Sequence, residues 1–146
     1  MGTGSERVKE EKNSGKYVID ASALYPMLSR ISSSELIEEL PKLTILDLTK
    51  YEIGNAVRYD RSVKDPIKLI GYWDELMSEI REERIDNMQS VQDIALKKNL
   101  TFYDAAYVHV AVRSGSKLVT ADSEILRRFK DVALERSLRN PPVDDK

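Results

Sequence analysis

Tyr17-Val18-Ile19-Asp20-Ala21-Ser22-Ala23-Leu24 is a short apolar run that halts on a carboxylate and passes directly into residues of helical character. Tyrosine, valine and isoleucine favour a strand, and the polar turn at Asp20 ends it, so the segment reads as a strand feeding a helix. That helix is expected from about Ser22, with Pro26 tolerated only near its first turn. The same join recurs along the chain. Leu43-Thr44-Ile45-Leu46 is a second strand, followed by a helix from about Lys50 towards Val63, and Lys117 to Thr120 is a third, followed by a short helix over Ser123 to Phe129. Strands alternating with helices predict a three-layer α/β/α sandwich around a central, mostly parallel sheet.

Between these joins the chain reads as helix. Glu35 to Leu40 is expected to form a short one stopped before Pro41. Asp65-Pro66 supplies an N-cap and a first-turn proline for another through about Arg84, with Leu69, Trp73, Leu76 and Ile80 at helical spacing. Further helices are expected from about Met88 to Lys98 and from Phe102 to Ser114, where Gly115 takes the usual C-terminal position. Val132-Ala133-Leu134 is a candidate last strand. The polar start gives a disordered arm over residues 1–15, the folded domain spans 16–138, and Asn140-Pro141-Pro142 lies in a flexible tail over 139–146.

A chain of 146 residues with 41% hydrophobic content suits one domain with a real core. No stretch approaches the roughly 18 consecutive apolar residues of a membrane span, and Met1 to Lys16 lacks the apolar core of a signal peptide, so a soluble, cytoplasmic protein without membrane association is expected. The absence of cysteine excludes disulfides, thiolate metal sites and a cysteine nucleophile, and the single His109 excludes any site needing two imidazoles. Only carboxylates are plentiful enough to hold a metal. The net charge of -2 argues against nucleic-acid binding by overall basicity, leaving room for a local patch.

Right-handed crossovers place strand ends and helix starts on one rim of the sheet. Asp20 closes the first strand, Asp122 follows the Lys117 strand, and Glu52 and Asp104 fall three residues after Thr49 and Thr101 in expected first helical turns. All four should line that rim. Thr49-x-x-Glu52 and Thr101-x-x-Asp104 equally match a helix-capping pattern. Asp20 and Asp47 also suit turn formation, and Asp65, Asp86 and Asp93 suit caps or a solvated face. Spacing nominates the rim without choosing among its acids.

Four motifs in order, Tyr17-Val-Ile-Asp20-Ala-Ser22, Tyr51-Glu52-Ile-Gly-Asn55-Ala-Val, Leu100-Thr-Phe-Tyr-Asp104-Ala-Ala-Tyr and Lys117-Leu-Val-Thr-Ala-Asp122, resemble the PIN-domain nucleases, specifically their VapC toxin branch. The resemblance spans about Tyr17 to Phe129 and implies a PIN-like fold. It assigns Asp20, Glu52, Asp104 and Asp122 to a catalytic acidic cluster that binds Mg²⁺ or Mn²⁺, and matches Ser22, Asn55 and Thr120 to accessory polar positions. It further implies an RNA substrate, a homodimer, and a VapB-type antitoxin that covers the site. The polar N-terminal arm and the stretch Arg58 to Arg84 depart from the family pattern.

Two carboxylates about 4 Å apart repel by about 4 kcal/mol at an effective dielectric near 20, so acids sharing a pocket call for a cation or shared protons. Hard oxygen ligands suit Mg²⁺ or Mn²⁺. The expected reaction is in-line attack of an activated water on a phosphodiester, with Asp20 and Asp104 as principal ligands and Glu52 and Asp122 completing the shell. Ser22 and Thr120 would fix carboxylate geometry, touch phosphate or cap helices. Arg127, Arg128 and Lys130 stand close enough after Asp122 to contact phosphates, with Arg58 on the Glu52 helix, although a solvated face is the ordinary reading of each. Tyr51 and Tyr103 suit packing rather than stacking on RNA bases, and His109 suits a structural role or a subunit contact. An aspartyl-phosphate phosphotransferase or receiver would want a second acid where Ser22 stands. A non-catalytic RNA- or protein-binding scaffold on the same fold would normally have lost one or more of the four acids.

Overall fold

The computed structural model describes residues 16–30, 32–130 and 132–135. The expected arm over 1–15 and the tail over 139–146 lie outside the described residues. Among the described residues five strands form one sheet: β1 (Tyr17–Ile19), β2 (Leu43–Leu46), β3 (Arg81–Glu83), β4 (Lys117–Thr120) and β5 (Ala133–Glu135). Their order is β3-β2-β1-β4-β5, and all four pairings are parallel, with Tyr17 opposite both Leu43 and Lys117 and Ile19 opposite Val119.

Successive strand residues face opposite sides of the sheet, and here both sides are buried. Tyr17, Ile19, Leu43, Ile45 and Val119 join one apolar core, whereas Val18, Leu46 and Leu118 join another. The first core is completed by α1 (Ala21–Leu24), α2 (Met27–Arg30), α3 (Ser33–Glu39), α4 (Thr49–Tyr59) and α5 (Pro66–Ser78). The second is completed by α6 (Met88–Lys98), α7 (Phe102–Ser114) and α8 (Ser123–Arg128). A parallel sheet with helices on each face is the predicted three-layer sandwich.

Several elements differ from the expectation. The helix expected from Ser22 is two short pieces, because Pro26 lacks the N–H that a continuous helix would use. The short helix stops before Pro41 as expected, at Glu39, but begins at Ser33 rather than Glu35, and Pro41 lies in a 3-10 turn, Leu40–Lys42, where its fixed φ is suited to a first turn. Helix α4 ends at Tyr59 rather than near Val63, and the Asp60 carboxylate is taken by the Ser62 amide and hydroxyl and the Tyr25 hydroxyl. Helix α5 stops at Ser78, and Arg81-Glu82-Glu83, expected as its last turn, pairs with β2 as an edge strand. No apolar alternation marks that strand, and charged side chains are what a sheet edge carries against further pairing. Arg113 of α7 bridges Glu83 and Asp86, and the His109 ring meets Asp86 Oδ1 at 3.1 Å, tying the edge to α7. His109 is therefore a structural contact.

The Leu69, Trp73, Leu76, Ile80 stripe faces the first core, where Trp73 is 1% exposed and stacks on Tyr25 at 5.9 Å. Trp73→Ala should lower unfolding stability by about 3–5 kcal/mol, whereas Leu96→Ala, at a position 76% exposed, should stay within about 0.5 kcal/mol, both read from urea titrations.

Candidate active site

In the strand order, β1 and β4 are neighbours while the chain leaves them towards opposite edges, which opens a crevice beyond their carboxyl ends. Asp20 sits at that point. Its N–H donates to the Val119 carbonyl at 3.2 Å, and its carboxylate, 5% exposed, accepts from the Ser22 hydroxyl at 2.6 Å, the Thr120 hydroxyl at 2.5 Å and the Ala23 amide at 3.1 Å. The two hydroxyls in turn accept from the backbone after β4: Ala121 N–H donates to Ser22 Oγ and Asp122 N–H to Thr120 Oγ1, each at 3.0 Å. Ser22 and Thr120 stand 3.4 Å apart, with both protons already given to Asp20. Their role here is to hold that carboxylate.

Asp122 caps α8, with Oδ1 accepting from the amides of Glu124 at 2.8 Å and Ile125 at 3.1 Å. Asp104 lies in the first turn of α7, which Thr101 caps by accepting from the Asp104 amide at 3.1 Å. The matching expectation for Thr49 does not hold: Leu48 is the N-cap of α4, and Thr49 is its first residue. Thr49 Oγ1 accepts from Leu46 N–H at 3.0 Å and meets Tyr107 Oη at 2.7 Å, and Tyr107 donates to Glu52 Oε1 at 2.6 Å. Since the Tyr107 proton goes to Glu52, the Thr49 proton goes to Tyr107. A directed chain thus runs from the backbone of β2 through two buried hydroxyls to the Glu52 carboxylate.

The four acids act on one another. Burial raises the carboxyl of Asp20 above the ordinary range, against the hydrogen bonds it receives, with Asp104 repulsion adding to the rise. Burial likewise raises Glu52, with Asp20 and Asp104 adding to it, and raises Asp104, with Asp122 adding to it. No described lysine or arginine forms an ion pair with any of the four. Such hard oxygen donors suit a divalent ion like Mg²⁺ or Mn²⁺. Among the described residues no three His, Cys, Asp or Glu side chains stand as a group that could hold a metal ion by themselves.

Beside the acids, Leu48, Tyr51, Glu52, Asn55 and Tyr103 line a cleft of about 440 Å³. Tyr51 is 74% exposed and Tyr103 60% exposed, which corrects the expectation that they pack: the first turns of α4 and α7 project at the open rim. Of the basic residues nominated for phosphate, Arg127 pairs with Glu124. Arg128 pairs with Glu124 at 2.9 Å and donates to the carbonyls of Lys98 and Asn99, so its guanidinium closes the end of α6 instead of standing free. Lys130 is exposed, as is Arg58, whose guanidinium lies 5.0 Å over the Tyr59 ring.

Sequence reasoning missed Tyr107 and the part Thr49 plays in holding it. The available signal was spacing, since Tyr107 follows Asp104 by three positions and so shares its helix face. Tyr107→Phe should destabilise the fold by about 1–2 kcal/mol, because Thr49 and Glu52 both lose a partner in a buried setting. It should also raise the Glu52 carboxyl titration further, since a hydrogen bond to the charged form is lost. Carboxyl ¹³C NMR across a pH series reads this, and an unmoved Glu52 titration would remove Tyr107 from the site.

A family model described as PIN domain matches residues 17–133. The chain is 35% identical over 117 residues to Exonuclease VapC9 of Pyrobaculum aerophilum, covering 79% of this chain and 86% of that protein. It is 31% identical over 124 residues to Ribonuclease VapC3 of the same organism, covering 78% of this chain and 95% of that one. Among solved structures it is similar to PAE2754 from Pyrobaculum aerophilum, with a TM-score of 0.74 and 35% identity over 83% of this chain and 89% of the other. A toxin-antitoxin complex from Klebsiella pneumoniae shares the fold, with a TM-score of 0.61 and 15% identity over 83% of this chain and 98% of the matched one. With a parallel sheet whose switch point gathers four acids, and with these relatives, the chain belongs to the PIN-domain family, in its VapC branch.

Proposed function

We propose that this protein is a divalent-metal-dependent ribonuclease that hydrolyses RNA phosphodiesters internally and serves as the toxin of a VapBC-type pair. The observation that carries this reading is the set of four carboxylates at the switch point of the sheet, linked by mutual repulsion and, among the described residues, paired with no lysine or arginine. The name Ribonuclease VapC3 supports RNA as the substrate class and both relatives' names support phosphodiester cleavage, while Exonuclease VapC9 is named for trimming from an end rather than for an internal cut. The toxin-antitoxin complex that shares the fold supports a VapB-type antitoxin as partner. A homodimer and a cytoplasmic location complete the proposal; no helix among the described residues is long and apolar enough to cross a membrane.

Asp20 and Asp104 are the proposed principal ligands of Mg²⁺ or Mn²⁺, with Glu52 and Asp122 completing the shell or orienting the attacking water. When bound, the ion lowers the pKa of a water and offsets charge building on the phosphorane-like transition state. The protein's own contribution is geometric. Ser22 and Thr120 lock the Asp20 carboxylate, Tyr107 locks Glu52, and the helix amides of Glu124 and Ile125 hold one oxygen of Asp122. Carboxylates held in this way need little rearrangement as the transition state forms.

The test is cleavage of an end-labelled structured RNA pool in Mg²⁺, Mn²⁺ or EDTA, beside Asp20→Asn and Asp104→Asn. Cutting should require the ion and fall by roughly 10²-fold or more in both variants, in line with other groups that stabilise developing charge. Product lengths separate internal cuts from trimming at an end. No cutting under any condition would return the chain to the scaffold reading.

A stability measurement checks the electrostatics without RNA. A carboxyl whose folded pKa is raised contributes stability below its unfolded value and loses that contribution as pH rises through the folded value. Asp104→Asn in EDTA should therefore melt a few degrees higher than wild type at neutral pH, with the gap closing on acidification. Added Mn²⁺ should raise the wild-type melting temperature more than that of the variant.

A further inference from the structure

Tyr51 and Tyr103 stand immediately before Glu52 and Asp104, each in the first turn of its helix. Neighbouring helix positions are turned about 100° apart around the axis. The acids are in electrostatic contact with the rest of the cluster while both rings reach solvent, and both rings line one cleft. Asn55, one turn beyond Tyr51, places an exposed amide in the same wall, and Leu48 supplies an aliphatic surface. Glu52 belongs both to this cleft and to the acidic cluster, so the two are continuous.

The lining selects the occupant. About 440 Å³ is the size of a small-ligand site, whereas a stable protein interface buries roughly 1,000 Å² or more around an apolar centre. Two phenol rings offer π-faces to a flat aromatic guest, and an amide offers both a donor and an acceptor to its edge. The Glu52 carboxylate in the wall disfavours a phosphate there and leaves the sugar-phosphate chain to the metal side. An unpaired base splayed from single-stranded RNA meets all of these conditions, and a paired base in a duplex cannot reach the cleft.

We propose that the Tyr51–Tyr103 cleft is a nucleobase subsite: one unpaired base flanking the phosphodiester at the acids stacks on these rings, with Asn55 meeting its edge. The inference deepens the ribonuclease reading and rests on it. Recognition at this cleft is then tolerant of base identity through stacking and biased by the Asn55 amide.

The experiment uses the full chain with Tyr51→Ala, Tyr103→Ala and the corresponding phenylalanine variants. The probe is a fluorescein-labelled single-stranded RNA oligonucleotide, its duplex, and versions made abasic on either side of the cut. Alanine at either position should raise KM on the order of tenfold, more than it lowers kcat, and phenylalanine should restore it. Removing the flanking base should impose the same loss on wild type and little more on the alanine variants. Binding of the same probes, read by anisotropy in the non-cutting Asp104→Asn background, should show the same ring dependence and a preference for the single strand. Unchanged KM and binding in the alanine variants overturn the subsite, as does an abasic penalty equal in wild type and alanine variants. Alanine variants that change the sedimentation of the protein but not its handling of RNA identify the cleft as a protein interface and also overturn it. If wild type cuts no RNA, the ribonuclease reading fails, and the anisotropy arm still decides the subsite: ring-dependent binding keeps it and ring-independent binding removes it.

Discussion

Everything at this site depends on how one carboxylate, that of Asp20, is held at the end of the central strand. It is buried, yet both oxygens receive hydrogen bonds: Oδ1 from Ser22 and Ala23 and Oδ2 from Thr120. Ser22 and Thr120 are themselves fastened to the backbone that follows β4. The carboxylate therefore joins β1 to β4 at the place where the chain reverses its direction across the sheet, and the crevice that follows from this topology is lined by acid from the outset.

The question of caps against functional acids dissolves in this arrangement. Asp20 caps α1 and Asp122 caps α8, and Glu52 and Asp104 lie in the first turns of α4 and α7. Each acid sits where unpaired amides and the helix dipole favour negative charge. That local support makes four carboxylates tolerable on one rim, although burial and mutual repulsion still raise three of them. Two apolar cores, one on each face of a fully parallel sheet, provide the stability against which this electrostatic penalty stands.

The Leu46–Thr49–Tyr107–Glu52 chain shows a second way of fixing an acid. Glu52 lies on α4, against one core, and Tyr107 on α7, against the other, so the hydrogen bond between them spans the layers of the sandwich. A hydroxyl chain rooted in the backbone of β2 has little freedom to rotate, so Glu52 inherits the rigidity of the sheet.

Local chemistry accounts for what could be read along the chain. Apolar runs of three or four residues marked β1, β2 and β4, the Asp65-Pro66 and Gly115 signals marked where α5 begins and α7 ends, and strand-to-helix joins nominated the rim and several acids on it, while the choice of Asp20, Glu52, Asp104 and Asp122 came from the family resemblance. These signals act over a few neighbouring residues, so they survive without a fold. Only the assembled structure made a strand of Arg81-Glu82-Glu83, because its evidence is pairing with β2 and not its own pattern. Only assembly joined Tyr107 to Glu52, 55 positions away, and Thr120 to Asp20, 100 positions away. The exposure of Tyr51 and Tyr103 was equally out of reach, since a helix position shows which way a residue points but not whether another layer lies above it. Pairing, long-range hydrogen bonds and burial are properties of distances between remote residues, and those distances exist only once the chain has closed on itself.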